Sequence, residues 1–168
     1  MPSKKSSSAD NQQERLKMAG WIVGYVDGEG CFSVSIFRNK TTKYGWQIFP
    51  EFVVTQGEKS KDSLKILLKY FKCGKIYVNN RYDNHREKLH RYCVRSKIDL
   101  TEVIIPFFKQ NRLKTAKKKD FKIFARIVDL LNRDFHSNLN GIKKIAKMIE
   151  RMNRKKSSAF LESSETKR

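Results

Sequence analysis

An α+β fold is predicted by three features of the sequence. A glycine-spaced apolar helix stands near the start, two pairs of alternating segments follow, and amphipathic helical stretches lie between and after them. Alternation with period 2 marks strands, and apolar residues every three to four positions mark helices. The order reads helix, hairpin, helix, hairpin and then C-terminal helices. That predicts a four-stranded antiparallel sheet with one apolar face covered by helices. The chain has 168 residues, enough for one domain with a sizeable core.

The first helix is unusual. Gly20, Gly24 and Gly28 recur every four residues and leave a seam without side chains down one face, along which a second helix can lie close. Leu16, Trp21, Ile22, Val23, Tyr25 and Val26 make the remaining sides apolar, so the helix reads as buried all round. It ends in Asp27 and Glu29 around Gly28. Carboxylates at a helix C-terminus meet the negative end of the macrodipole, an unfavourable place without a nearby cation, and this suggests a metal site. Residues 1–13 are polar and read as a disordered lead-in.

After Gly30 the period changes. Phe32, Val34 and Ile36 alternate with Ser33, Ser35 and Phe37; after a polar turn over Asn39 to Gly45, Ile48, Phe52 and Val54 alternate with Gln47, Phe49, Glu51, Val53 and Thr55. Leu64, Leu67, Leu68 and Phe71 then fall at helical spacing, with Ser60 as the expected cap and Gly74 as the expected stop. The second hairpin sets Ile76 and Val78 against Lys75, Tyr77, Asn79 and Arg81, and turns near Asp83 and Asn84. It returns with Tyr92 and Val94 inward and Arg91, Cys93 and Arg95 outward. Helices are expected over 99–108, 115–132 and about 142–152. The domain is placed at 14–153, and the Lys/Ser-rich stretch 154–168 reads as a loose basic tail.

Ile22 to Gly30, IVGYVDGEG, resembles the signature of the LAGLIDADG homing endonucleases, with Ile-Val for the leading Leu-Ala and Glu for the second Asp. Two further stretches are similar to that family: Val53-Val54-Thr55-Gln56 at the end of the second strand, and the lysine-bearing Leu113 to Phe121 ahead of the long helix. The resemblance implies two copies paired through Gly20 and Gly24, with Asp27 at the helix end and interface. It implies divalent metal, Mg²⁺ with Mn²⁺ as a substitute, held by Glu29 and the Gly28 carbonyl. Gln56 would position solvent, and Lys117, or else Lys114, would be the active-site lysine. The implied function is a homodimeric homing endonuclease. It would break both strands of a long near-palindromic DNA site, leave short 3′ overhangs, and be encoded in an intron.

Charge fits a polyanionic partner. The formal net charge is +20, and residues 1–30 balance four basic against four acidic side chains, so the excess falls wholly after the motif helix. The sheet's polar face, with Ser33, Ser35, Gln47, Glu51, Lys75, Tyr77, Asn79, Arg81, Arg91, Cys93 and Arg95, suits contact with double-stranded DNA through base edges and phosphates. A solvated face is the plain alternative, and the net charge tips the balance towards nucleic acid. A different class of function is a non-cutting relative, an intron RNA maturase or transcription regulator. A basic ribosomal-type protein is a third, against which the glycine seam argues. Zinc spacing around His85, His90 and His136, a P-loop and a nucleophile elbow are all missing, which argues against those enzyme classes. Cys31, Cys73 and Cys93 have no CxxC spacing and cannot all pair, which suggests reduced thiols inside a cell, in cytoplasm or organelle, and no apolar run suits a membrane.

Overall fold

A computed structural model of the chain describes residues 8–79, 88–152 and 160–161. The motif helix α1 (Ser8–Glu29) leads straight into strand β1 (Gly30–Arg38), which pairs with β2 (Trp46–Gly57). Helix α2 (Asp62–Phe71) precedes β3 (Lys75–Asn79) and β4 (Leu89–Val94). The strands form one four-stranded antiparallel sheet, as the two alternating pairs predict, and its order is β1-β2-β4-β3. Helices α3 (Lys97–Asp99), α4 (Ile105–Gln110), α5 (Lys117–Asn132) and α6 (Leu139–Glu150) complete the chain. Among the described residues no helix is long and apolar enough to cross a membrane, and no disulfide links the cysteines.

Alternation assigns the two sheet faces correctly. Phe32 pairs with Phe52, and Ser33 with Glu51, so one face is apolar and the other polar. Phe32 is the hub of the apolar side. Its ring stacks on Phe52 at 5.0 Å and meets Phe108 at 5.3 Å, Phe121 at 5.1 Å and Phe124 at 5.4 Å. These contacts tie both central elements of the first hairpin to α4 and α5. Ile22, Val23 and Val26 of α1 and Leu64, Leu67 and Phe71 of α2 fill the same core.

Several boundaries differ from expectation. Helix α1 begins at Ser8, so part of the polar lead is helical. It is not buried all round within one chain: Ala19, Ile22, Val23 and Val26 face the core, while Leu16 and Trp21 are 65% and 40% exposed. Helix α2 takes no cap from Ser60, because a 3-10 turn over Glu58–Ser60 intervenes. It stops at Lys72, whose left-handed backbone (φ 54°) lets its N–H return to the Leu68 carbonyl. The helix expected over 99–108 runs from α3 through a π-helical turn (Leu100–Ile104) into α4. Pro106 has no N–H and would clash with the carbonyl four residues back, a conflict that the widened turn relieves.

The tail is not uniformly loose. Phe160 and Leu161 are buried with Trp46, Ile142 and Ala146, and the Phe160 ring meets Trp46 edge-on at 5.2 Å. Burying these two apolar side chains against Trp46 at the start of β2 offsets the cost of ordering them. Arg81, Asp83, Asn84 and His85 lie outside the described residues.

Replacing the hub, Phe32→Ala, removes four ring contacts and leaves a cavity in the buried core. Denaturant unfolding should show a loss of about 3–5 kcal/mol at an unchanged m-value.

Candidate active site and nucleic-acid face

The C-terminal end of α1 is where the candidate residues gather. Helix passes to strand without a loop at Gly30, where a Cβ would lie 2.5 Å from Val26 Cγ1 and 2.8 Å from the Val26 carbonyl oxygen. Only glycine fits so tight a join. Because α1 feeds β1 directly, Glu29 stands at the sheet's edge, one residue before the Gly30–Val54 pair.

Two long-range attachments close this helix end. Lys117 Nζ donates to the carbonyls of Val26 at 3.2 Å, Asp27 at 2.9 Å and Gly28 at 2.7 Å. An ammonium on the last free carbonyls sits at the negative pole of the helix. The Asp27 carboxylate accepts from the backbone N–H groups of Lys114 at 2.7 Å and Thr115 at 3.2 Å, and from the Thr115 hydroxyl at 2.7 Å. Burial alone would raise the Asp27 carboxyl, but the Thr115 and Lys114 hydrogen bonds and the Lys117 charge outweigh it and hold the group below its ordinary value. Asp27 thus anchors the 114–117 loop, a role that short-range patterns gave no sign of. Lys114 contributes its backbone N–H here, and Lys117 brings the charge.

The paired carboxylates therefore have unlike surroundings. Asp27 is satisfied by the protein, whereas Glu29 is exposed and makes no hydrogen bond or ion pair among the described residues. Gln56 is half-buried, two residues past Val54, and interacts with the hydroxyl of Tyr25 in the last turn of α1. That hydroxyl also lies 2.5 Å from Ser63 Oγ. Glu29, Gln56 and Lys117 thus share one helix end, and Tyr25 and Ser63 are neighbours that sequence reasoning missed.

The donors present suit a hard cation, because Glu29 and the Gly28 carbonyl both offer oxygen. Among the described residues no three His, Cys, Asp or Glu side chains gather at one point. Gly20 and Gly24 are exposed, and no atom lies within 4 Å of where a Cβ would stand at either, or at Gly28.

The polar sheet face carries Ser33, Ser35, Gln47, Arg91, Lys75, Tyr77, Asn79 and Arg95 in partly or fully exposed positions. Glu51 and Cys93 differ from expectation. Glu51 is 9% exposed and bound by Arg95 and by Arg91 Nη2 at 3.3 Å, so it serves to brace two arginines. Its position one residue before the Phe52–Val94 pair sets it across from Arg95, a cross-strand signal legible once the register is known. Cys93 is only 3% exposed, covered between Val53 and Lys75 on the neighbouring strands. Arg95 also lies over the Tyr77 ring at 4.9 Å. His90 is not on this face: it is buried 2.5 Å from Glu58, whose carboxyl Lys61 and then His90 hold down to about 2.

The LAGLIDADG endonuclease family model matches residues 22–128, more than half of the chain. The chain is 32% identical over 121 residues to the homing endonuclease I-ApeII of Aeropyrum pernix, covering 71% of this chain and 68% of that protein. It is also 32% identical over 126 residues to a probable intron-encoded endonuclease of Neurospora crassa, covering 74% of this chain. It spans only 27% of that relative's length. Among solved structures it superposes on the homing endonuclease I-TnaI with a TM-score of 0.77 at 35% identity, over 89% of this chain and 97% of that one. I-SmaMI bound to cleaved DNA superposes with a TM-score of 0.78 at 27% identity, over 89% of this chain and 47% of that one.

The Asp27 anchor predicts a pH dependence. Its carboxyl is lowered in the folded state, so its stabilisation is complete above the unfolded value near 4 and is lost as pH falls through the folded value. Asp27→Asn should be less stable than the wild type at neutral pH, and the gap should close towards acid in thermal unfolding.

Proposed function

The chain belongs to the LAGLIDADG endonuclease family, and from that premise we propose that two copies form a DNA endonuclease that cuts both strands of a long near-palindromic site. The observation that carries this reading is the α1 end: an open Glu29 carboxylate, the Gly28 carbonyl and the Lys117 ammonium within one helical turn. The seam of Gly20, Gly24 and Gly28 on the same helix supports pairing with a second copy, which would bring two such ends together.

Glu29 and the Gly28 carbonyl would hold a divalent cation, Mg²⁺ in the first place and Mn²⁺ as a substitute. Such an ion lowers the pKa of bound water and offsets charge on the leaving oxygen. Gln56, steadied by Tyr25, would orient the attacking water. Lys117 would offset charge developing on the phosphate while keeping the helix end in place. The polar sheet face would meet the duplex, with Arg91 and Arg95 preset by Glu51. A divalent ion is consistent with the solved structure of I-SmaMI on uncleaved DNA in the presence of calcium. A home in an intron is supported by relatives named as intron-encoded.

Glu29→Gln should keep duplex binding and lose cleavage by roughly 10²–10³-fold or more, assayed on a randomised duplex library with Mg²⁺ and with EDTA. Cleavage at the wild-type rate by this variant would overturn the assigned site. A Cβ at position 24 meets nothing within 4 Å in the single chain, so Gly24→Leu should stabilise the isolated helix by up to about 1 kcal/mol. In sedimentation it should shift dimer to monomer and abolish double-strand cutting; an unaltered dimer would disprove the seam.

A further inference from the structure

Between the end of β2 and the start of α2, the stretch from Glu58 to Ser63 carries two polar attachments, and both reach back to the strand end that bears Gln56. Glu58 Oε2 lies 2.5 Å from Nε2 of the buried His90, and Glu58 is also paired with Lys61. His90 is the direct cross-strand partner of Gln56. The two side chains therefore stand next to each other, on the same side of the sheet as Phe52 and Val54. The second attachment runs through Ser63, whose Oγ lies 2.5 Å from the Tyr25 hydroxyl; Tyr25 in turn hydrogen-bonds Gln56. Gln56 is thus flanked by a tyrosine of α1 and a histidine of β4, each fastened to the same short segment.

The direction of each hydrogen follows from the donors present. Ser63 has one hydroxyl hydrogen and gives it to the Ser60 carbonyl at 2.6 Å. Towards Tyr25 it can only accept, so the tyrosine O–H points at Ser63 and the phenol oxygen keeps its lone pairs for Gln56. The group that Gln56 brings to Tyr25 is then the amide N–H, and its carbonyl oxygen turns away from the tyrosine. On the other flank the Glu58 carboxylate accepts the Nε2 hydrogen of His90, which fixes the imidazole ring beside Gln56.

We propose that Ser63 and the Glu58–His90 pair are positioning residues for strand cleavage, holding Gln56 so that its carbonyl oxygen accepts a hydrogen of the attacking water and aims the water's lone pair at phosphorus. The inference rests on the reading of Gln56 as the residue that orients water, and adds what sets its amide. Without the Ser63 acceptor, the Tyr25 O–H turns to the Gln56 carbonyl. The amide then presents N–H groups to the water, and these draw its lone pairs away from phosphorus. Without Glu58, the His90 ring loses the contact that keeps it beside Gln56.

The test is single-turnover cleavage, with Mg²⁺, of a duplex site selected from the randomised library. Ser63→Ala and Glu58→Ala alter partly exposed side chains, and circular dichroism checks that the fold persists. Each should slow cleavage about tenfold or more, while duplex affinity in EDTA stays within about twofold. Ser63→Thr, which keeps a hydroxyl, should recover most of the rate. In a Gln56→Ala background either substitution should cost less than about twofold more, because groups that act through one residue are not additive with its removal. The same loss in both backgrounds, or a wild-type rate in Ser63→Ala, overturns the inference and leaves the role of Gln56 standing. A wild-type rate in Gln56→Ala, or no cleavage by the wild type, overturns both.

Discussion

The join between α1 and the loop ahead of α5 is the contact on which the rest of the structure depends. A helix that ends in two carboxylates, with three carbonyls pointing the same way, concentrates negative charge at one place. Lys117 answers the carbonyls and the 114–115 backbone answers Asp27. Partners about ninety residues apart in sequence are thereby locked together. The lock also sorts the two acids. Asp27 spends its lone pairs on the protein, and the exposed Glu29 is left as the open carboxylate of the pair.

A second constraint is the direct passage of α1 into β1. Without a loop, the tilt of the helix and the position of the sheet are coupled through Gly30 and Val26. The Phe32 cluster then fixes the depth at which α4 and α5 sit. The opposite face of the same strands is left polar, and Glu51 holds two of its arginines in defined directions. A buried acid between two arginines leaves the face basic and limits how far those side chains can wander.

Much of this was legible in the sequence because it is local. Period-2 alternation separated Phe32, Val34 and Phe52 from Ser33, Ser35 and Gln47, and four-residue spacing marked the glycine seam. What escaped was non-local or competed with a stronger local cue. Nothing near Asp27 signals Thr115, and nothing near Trp46 signals Phe160. Alternation assigned Glu51 and Cys93 to the outer face, but burial there depends on neighbouring strands, which alternation does not see. Gly74 looked like the stop of α2, yet Lys72 takes the left-handed position two residues earlier.

The position of Lys117 sharpens its role. A lysine kept only to attract phosphate would extend into solvent, like Lys118 and Lys119 beside it, which are exposed. Lys117 instead folds back onto Val26, Asp27 and Gly28 and shares the Gly28 carbonyl with any ion that Glu29 would hold. A carbonyl oxygen has two lone pairs, so both can be served at once. Two cationic centres at one helix end would ordinarily repel. The helix dipole and Glu29 lower that cost, and an incoming phosphate removes most of what remains. On the proposed reading the helix end would act as a charge balance completed by nucleic acid, with the lysine already held there by the Val26, Asp27 and Gly28 carbonyls.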